Sequence, residues 1–210
     1  MSERMKLKEN KKENDEELDE ELDEELDLDI EEGISITSFI FEWANAFMVA
    51  LIVVILLLTF VFRQVTVSGT SMTDTLDDGD RLIISSFMYK PQYGDIVVIS
   101  HGENYSDPII KRVIATEGQA LSINYDTYEV SVDGVILNEP YIKGNTVKLL
   151  HDPLEIPDRI PEGYCFVMGD NREGSLDSRS AEIGLIPVEN IIGKAEVRIF
   201  PLDKFGSVYN

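Results

Sequence analysis

The hydrophobic positions of this chain follow two different patterns, one before and one after residue 63. The first is a run of 20 residues, Trp43–Phe62, without a single charged side chain. About 20 apolar residues, each rising 1.5 Å along a helix, are enough to cross the hydrocarbon layer of a bilayer. Glu42 and Arg63 flank the run, and a tryptophan at its start suits a headgroup boundary. The pattern predicts one transmembrane helix, in an anchor segment that covers residues 37–63.

The second pattern consists of short segments rich in Val and Ile, separated by Gly, Pro, Asn or Asp. Several of them alternate apolar and polar residues, as strands with one buried face do. The dipeptide Asp133-Gly134 lies between two such runs and predicts the tip of a β-hairpin. We expect a mainly β fold over residues 64–210, with a loop-rich β insertion within residues 115–165. The predicted strands are RLIISSF, DIVVIS, IIKRVIAT, ALSIN, YEVSVDG, GYCFVMGD and KAEVRIF.

The charged residues are distributed unevenly, with an excess of acidic side chains near the N-terminus. The formal net charge is −22, and residues 1–32 contribute half of it, with 16 acidic and 5 basic side chains. The sequence EELD occurs three times in succession, so a helix would align Leu18, Leu22 and Leu26 between mutually repelling carboxylates. We expect residues 1–36 to form a disordered acidic tail, with an interaction helix as the alternative. The acidic balance also argues against nucleic acid as a partner, because binding its backbone needs clustered Lys and Arg.

Other interpretations of the apolar run fit less well. A core helix of this length would keep a polar face, and a cleavable secretory signal would be shorter and follow a basic region. Basic residues near the N-terminus favour a cytoplasmic tail, but Arg63 lies closer to the helix on its other side. The positive-inside rule therefore leaves the orientation open.

Candidate chemistry begins at Ser71, which follows an extended segment and a glycine in VTVSGTSMTDTL. A serine hydroxyl is a poor nucleophile until a neighbouring base removes its proton. The two histidines, His101 and His151, stand in polar, loop-like contexts that favour a surface position. Lys111 is another candidate base, because burial among the Ile and Val residues of DPIIKRVIAT would lower its pKa. For that segment alone, a lysine that points outward is the simpler interpretation.

The single cysteine, Cys165, excludes an intrachain disulfide. It lies in the apolar segment GYCFVMG, where burial would raise its pKa and leave the thiol inert. Cys, His and carboxylate residues do not occur with the spacing of a metal site, so we expect neither a metal nor another cofactor.

Three segments, taken in order, resemble a known family. They are SGTSMTDTL, IIKRVIA 40 residues later, and MGDNREGSLDSR. Together they resemble the signature boxes of bacterial type I signal peptidases, the leader peptidases with a Ser–Lys dyad. The single predicted anchor resembles the one-helix form of Gram-positive bacteria. The resemblance covers most of residues 64–200 and implies a signal-peptidase-like all-β catalytic domain with one N-terminal transmembrane helix.

The resemblance implies a role for each matching residue. Ser71 aligns with the nucleophile, Lys111 with the general base, and Ser175 with the hydroxyl that orients the base. Two structural ion pairs are implied as well, namely Asp170 with Arg112 and Asp177 with Arg179.

Substrate contacts are implied by the same alignment. The substrate would lie extended between residues 64–67 and residues 108–110 and add main-chain hydrogen bonds. The backbone N–H groups of Ser71 and Gly69 would form the oxyanion hole, chiefly that of Ser71. The side chains implied to bind the substrate are Val65, Val67, Met72, Leu76, Ile109 and Ile110.

Two residues depart from the family pattern. Asp74 stands where the family usually has proline, and an aspartate can form a turn by bonding its own backbone. Gly69 stands where some members carry a serine that donates to the oxyanion. Glycine permits the close backbone approach that an oxyanion hole of N–H groups requires. We expect activity to survive the change at Asp74, and with Gly69 the oxyanion would rely on backbone N–H groups.

The implied function is that of a membrane-bound serine endopeptidase that cleaves N-terminal signal peptides from exported preproteins after small residues, at sites of the Ala-X-Ala type. The implied partners are preprotein signal peptides, the lipid bilayer and the protein-export machinery. Family topology places the N-terminus in the cytoplasm and residues 64–210 outside the bacterial plasma membrane.

Three alternatives to this function are open. A soluble self-cleaving repressor of the Ser–Lys type is disfavoured by the predicted anchor. An inactive, anchored binding module is disfavoured because Ser71, Lys111 and Ser175 are all intact. A cysteine transpeptidase that uses Cys165 is disfavoured by the apolar surroundings of that thiol.

Overall fold

The computed structural model of the chain describes residues 36–56, 62–86, 88–102 and 105–209. The chain divides into two compact units after Leu56. The first unit contains helix α1 (Ile36–Leu56), whose 21 residues are long and apolar enough to cross a membrane. The side chains of this helix are exposed throughout. Nearly all of the predicted acidic tail, residues 1–35, lies outside the described residues, and its disorder stays a prediction.

The regular secondary structure of the second unit is almost entirely β, which confirms the mainly β fold. Within its described part, the helical segments are two short 3-10 turns, Val188–Asn190 and Leu202–Lys204. Seven of the described strands coincide with the seven segments predicted above, whereas short strands such as Ile186–Pro187 and Gly206–Ser207 were not predicted. In chain order they are β1 (Phe62–Thr66), β2 (Arg81–Ser85), β3 (Ile96–Ile99), β4 (Ile109–Thr116), β5 (Leu121–Asn124), β6 (Glu129–Val132), β7 (Val135–Ile136), β8 (Tyr164–Met168), β9 (Ile186–Pro187), β10 (Ile191–Phe200) and β11 (Gly206–Ser207).

A large sheet holds most of these strands. Across the described residues it has eight strands, in the order β1-β2-β10-β3-β4-β8-β9, with β11 paired to β10. In that part of the chain β1 pairs with β2 alone, so its other edge is free. β4 pairs with β3 from Ile109 to Arg112, and with β8 only from Arg112 onward. The first residues of β4 therefore present a second free edge, beside Lys111.

Strands β5, β6 and β7 form a separate small sheet. Asp133 and Gly134 join β6 to β7, with φ angles of +48° and +79°. Positive φ at both central residues is what a type I′ turn requires, so the predicted hairpin is confirmed. Residues 137–163, which follow the small sheet in the chain and precede β8, contain no strand. Two isolated bridges join this segment to later residues, Lys143 to Asn171 and Pro153 to Ser180.

Burial fixes the segment that follows β1. The side chains of Val67, Met72 and Leu76 pack into an apolar cluster with residues of β2, β3 and β10. Each of the three is at most 4% exposed. Burying an aliphatic side chain of this size stabilises the fold by about 1.5–3 kcal/mol, so moving the segment away from the sheet would cost a large part of that free energy. The chain from β1 through residue 76 is thereby held in one position.

Candidate active site

Ser71 lies at the start of a turn that is anchored by the residues after it. The backbone N–H groups of Thr75 and Leu76 both donate to the Met72 carbonyl oxygen, at 2.9 and 2.8 Å. The side chains of Met72 and Leu76 are buried, so rotation of the turn would expose them. Ser71 itself stays half-buried, with its hydroxyl in contact with β4.

Lys111 on β4 is the partner of that hydroxyl. Its Nζ lies 2.8 Å from Ser71 Oγ and 3.0 Å from the carbonyl oxygen of Ile110. The residue is only 4% exposed. Burial disfavours the ammonium form and lowers the pKa of Lys111 to about 8, although nearby Asp177 and Asp170 act in the opposite direction. An amine with this pKa is partly neutral near pH 8 and can accept the serine proton.

Arg112, the next residue of β4, forms a buried ion pair with Asp170. Its Nε and Nη2 donate to the two carboxylate oxygens at 2.8 and 2.6 Å. Its Nη1 donates to the carbonyl oxygen of Gly94 at 2.7 Å. The Thr75 hydroxyl donates a further bond of 2.5 Å to the same carboxylate. Asp170 therefore links β4 to the turn that carries Ser71.

Asp170 belongs to the closing loop, which we define as residues 169–180. Within this loop Arg179 donates to both oxygens of Asp177, each at 2.8 Å, and both side chains are fully buried. Asp177 also accepts the N–H of Gly169 at 3.0 Å, which ties the two ends of the loop together. The members of both predicted ion pairs are therefore in contact. Each carboxylate is held by an arginine, and neither forms an ion pair with Lys111. That these ion pairs support activity by holding the site together stays a prediction.

Ser175 lies in the closing loop and is 4% exposed. Its Oγ is buried and has no hydrogen-bond partner among the residues that the structure describes. A Cβ at position 169 would collide with both Ser175 Oγ and the Ser71 carbonyl oxygen, so Gly169 lets these groups approach each other. The structure thus brings Ser175 beside the serine segment without the bond to Lys111 that the resemblance implies. Its base-orienting role stays a prediction.

The two N–H groups predicted for the oxyanion hole differ in their partners. Gly69 donates its N–H to Asp78 Oδ1 at 2.8 Å. The N–H of Ser71 donates to none of the described residues. Of the two groups, the Ser71 N–H is therefore the one that can receive the oxygen of a ligand.

The six apolar residues predicted to bind a substrate divide into two groups. Three are buried in the apolar cluster below the turn, namely Val67, Met72 and Leu76. Three are half-buried on the strands with free edges, namely Val65, Ile109 and Ile110. Only the second group has surface that a ligand can contact in this structure.

The remaining candidates for nucleophile and base are unsuited to the chemistry. His101 and His151 are exposed, and neither makes a side-chain bond to a hydroxyl in the described part of the chain. Cys165 is fully buried on β8, and burial raises the pKa of its thiol to about 12. A thiol in that environment stays protonated and inaccessible.

Sequence reasoning missed two elements of this site. Arg172 forms a third buried ion pair, because its Nη1 and Nη2 donate to the Glu139 carboxylate at 3.0 and 2.5 Å. Asn171 donates its N–H to the Ser71 carbonyl oxygen and its Nδ2 to the Thr70 carbonyl oxygen, both at 3.0 Å. Arg172 and Asn171 stand in the segment GDNREGSLDSR, which was singled out for other residues. Their spacing gives no signal that Glu139, 33 residues away, is a partner.

A serine hydroxyl in hydrogen-bond contact with a buried amine of lowered pKa is an arrangement that suits a serine hydrolase, because a neutral amine can activate the hydroxyl. Comparison with known proteins narrows this class. The family described as "Signal peptidase, peptidase S26" matches residues 40–200. Signal peptidase I P of Bacillus subtilis subsp. natto is 37% identical over 175 residues, which cover 80% of this chain and 92% of that protein. Signal peptidase IB of Staphylococcus aureus (strain COL) is 33% identical over 187 residues, covering 81% and 95%.

A relative outside these bacteria gives the same result. Probable signal peptidase I-1 of Synechocystis sp. (strain ATCC 27184 / PCC 6803 / Kazusa) is 38% identical over 183 residues, covering 81% of this chain and 88% of that protein. The chain belongs to the signal peptidase family, peptidase S26, and is a serine peptidase of the signal peptidase I type.

Proposed function

We propose that this chain is a membrane-bound serine endopeptidase that removes N-terminal signal peptides from exported preproteins, with Ser71 as nucleophile and Lys111 as general base. The observation that carries the proposal is the 2.8 Å contact between Lys111 Nζ and Ser71 Oγ. This distance is within the range over which a general base takes a proton from a nucleophile.

The proposed reaction has two halves. Ser71 Oγ attacks the carbonyl carbon of the scissile peptide bond while neutral Lys111 takes the hydroxyl proton. The resulting ammonium then gives that proton to the leaving amine, and an acyl-enzyme remains on Ser71. Water hydrolyses this ester with Lys111 again as base. At each stage the Lys111–Ile110 carbonyl bond of 3.0 Å supports the position of the amine.

The oxyanion that forms during the attack needs a donor close to Ser71. Among the described residues the N–H of Ser71 has no acceptor, which supports this group as the main donor. Gly69, which was expected to contribute, donates to Asp78 and would have to release that bond first. We therefore propose a hole centred on the Ser71 amide.

The substrate is proposed to bind as an added strand between the two free edges. β1 and the start of β4 both offer unpaired main-chain groups, as β-strand addition requires. Val65, Ile109 and Ile110 would contact alternate side chains of the substrate. The buried residues Met72 and Leu76 would support the floor from below. Shallow pockets of this kind would accept small residues at the −1 and −3 positions, which is the Ala-X-Ala pattern.

Helix α1 is proposed to anchor the enzyme in the bacterial plasma membrane as a single pass. We place the N-terminus, with the acidic tail of residues 1–36, in the cytoplasm. Residues 37–63 then form the anchor, and residues 64–210 the catalytic domain on the outer surface. The anchor would hold the site near the bilayer, where the export machinery delivers preproteins and their signal peptides.

Cleavage of a preprotein with an Ala-X-Ala site tests the proposal. The full chain in detergent is compared with Ser71→Ala and Lys111→Met, and with Ser68→Ala and Lys148→Met as matched controls at exposed positions. We expect correct cleavage by the wild type and the controls, and a loss of roughly 10³-fold or more in both dyad variants.

Two results would contradict this function. Cleavage that persists in folded Lys111→Met would reject the lysine as base. Failure of the wild type to cleave several authentic preproteins would instead favour the anchored binding module.

A further inference from the structure

A segment of the insertion crosses the closing loop, and we call residues 139–146 the strap. The N–H of Lys143 donates to the Asp170 carbonyl oxygen at 2.8 Å, and the Arg172 N–H donates to the Lys143 carbonyl oxygen at 2.9 Å. Lys143 and Asn171 thereby form a parallel bridge. The backbone of Lys143 is therefore fixed to the part of the closing loop that contacts the Ser71 segment.

Both ends of the strap are held by one buried side chain. Arg172 donates to the Glu139 carboxylate at the start of the strap and, at 2.7 Å, to the Thr146 hydroxyl at its end. The Arg172 and Glu139 side chains are 0% and 6% exposed. An ion pair buried to this degree holds its neighbours firmly, because breaking it would leave a charge without a partner. The strap is thus a rigid support.

The strap also contacts Arg112, the residue that follows Lys111 on β4. The ring of Tyr141 lies 3.9 Å from the guanidinium of Arg112, and the Tyr141 hydroxyl donates to Glu139 at 3.0 Å. A guanidinium over an aromatic face is attracted by the ring. The strap therefore contacts β4 as well as the closing loop.

One side chain of the strap reaches the turn that carries Ser71. Lys143 Nζ lies 3.0 Å from Asp74 Oδ1, and both side chains are exposed. Asp74 is the third residue after Ser71, and its carboxylate bonds to Lys143 rather than to its own backbone in the described structure. Asp74 and Thr75 line an open cavity of about 480 Å³ together with Pro140 and Ile142 of the strap. The ion pair therefore joins the strap to the turn that carries Ser71.

We propose that Lys143 is a positioning residue for Ser71, acting through its ion pair with Asp74. The strap fixes the backbone of Lys143, and the bond from its Nζ to Asp74 holds the outer side of the turn whose inner side is held by burial. The inference rests on the proposed function, since its main readout is the rate at which Ser71 reacts. Lys143 need not touch the substrate for this role.

Charge exchange between the two positions tests the proposal in the full chain. The variants are Lys143→Asp, Asp74→Lys and the double exchange, with Lys148→Asp as control because it changes an exposed lysine of the same insertion by the same charge. An exposed ion pair contributes at most about 1 kcal/mol, which corresponds to roughly two- to fivefold in rate. We expect each single reversal to lower kcat by about that factor, the double exchange to restore it, and KM and Tm to stay unchanged throughout. The control is expected to keep the wild-type kcat.

A second readout does not depend on turnover. Hydrogen exchange at the backbone N–H groups of Thr73, Thr75 and Leu76 should be faster in each single reversal and return to the wild-type rate in the double exchange. Unchanged exchange would overturn the positioning role, even if the wild type cleaves nothing and the proposed function itself fails. A fall in kcat that the double exchange does not restore, or a change confined to KM, would overturn it too, because Lys143 would then act on the substrate.

Discussion

The closing loop and the small sheet bury opposite kinds of side chain. In the small sheet, Leu121, Val130 and Val132 are buried, while the polar residues between them are exposed or half-buried. In the closing loop, charged and hydroxyl side chains take the buried positions. Those at most 4% exposed are Asp170, Arg172, Ser175, Asp177, Ser178, Arg179 and Ser180.

The two regions also differ in where their partners come from. The strands of the small sheet follow one another directly in the chain. The closing loop instead binds Arg112, which is 58 residues from Asp170, and Glu139, which is 33 residues from Arg172. A change in the loop therefore releases distant segments, including the strand that carries Lys111, whereas the strand pairing of the small sheet involves only neighbouring segments.

The largest effect is expected from Asp170→Asn in the closing loop. This change leaves the buried guanidinium of Arg112 without a carboxylate, and removing one partner of a buried pair costs about 3–5 kcal/mol. Urea unfolding of the full chain in detergent measures the loss. Ser122→Ala, at an exposed position of the small sheet, is the control and should change stability by less than about 0.5 kcal/mol. Equal effects of the two changes would contradict the contrast between the regions.

Lys111→Met should raise the free energy of unfolding, whereas Asp170→Asn should lower it. Lys111 is buried like the arginines but pairs with no carboxylate of the described residues, and burial lowers its pKa to about 8 from an ordinary value of 10.5. The unfolded chain then binds more protons than the folded chain between these pH values, so wild-type stability rises with pH across this window. Below pH 8 Lys111 is charged in both the folded and the unfolded chain, so the full cost of burying its charge lowers the stability of the wild type. After allowance for the lost bond to Ser71, we expect methionine to stabilise the protein by about 2 kcal/mol at pH 7.

The pH dependence provides the check on this prediction. Unfolding free energies of wild type and Lys111→Met are measured at pH 7 and near pH 10.5, where the advantage of methionine should disappear. A variant that is less stable than the wild type at pH 7 would show that Lys111 is held by interactions that outweigh its burial. In that case the lysine proposed to serve as base would not lower the stability of the folded protein.

The contrast between the regions also explains which features could be predicted from the sequence. Alternation of apolar and polar residues identified β6, and Asp133-Gly134 identified its hairpin, because both signals are local. The order of the large sheet, with β10 between β2 and β3, could not be predicted in this way. Pairing between strands far apart in the chain has no signature in a single sequence.

At the site, resemblance named the residues but not all of their partners. Ser71 and Lys111 were predicted together, and the structure places them 2.8 Å apart. The pairing of Glu139 with Arg172 was missed, since a charged residue in a loop usually indicates a solvated surface. The bond from Gly69 to Asp78 was missed for the same reason. These contacts depend on the folded path of the loops rather than on residue type.

The rate of cleavage should follow the protonation of Lys111. Because the proposed base must be neutral to act and burial lowers the pKa of Lys111 to about 8, kcat/KM is expected to rise about tenfold per pH unit below that value and to level off above it. A pH–rate profile of the full chain measures this between pH 6 and 10. A profile that levels off near pH 6.5, the ordinary pKa of histidine, would argue for His101 or His151 as base.

The smallest effect is expected in the small sheet, from Gly134→Ala. Gly134 has φ of +79°, a conformation that costs an alanine roughly 1 kcal/mol. No atom outside its neighbours lies within 4 Å of a Cβ built there, so strain of the backbone is the main consequence. Unfolding free energy should fall by about that amount, while kcat stays at the wild-type value because β6 and β7 contribute no residue to the dyad, the closing loop or the strap. If kcat falls as well, the small sheet is coupled to the site through the apolar cluster that it shares with β4 and β8, and the difference between the two regions is one of degree.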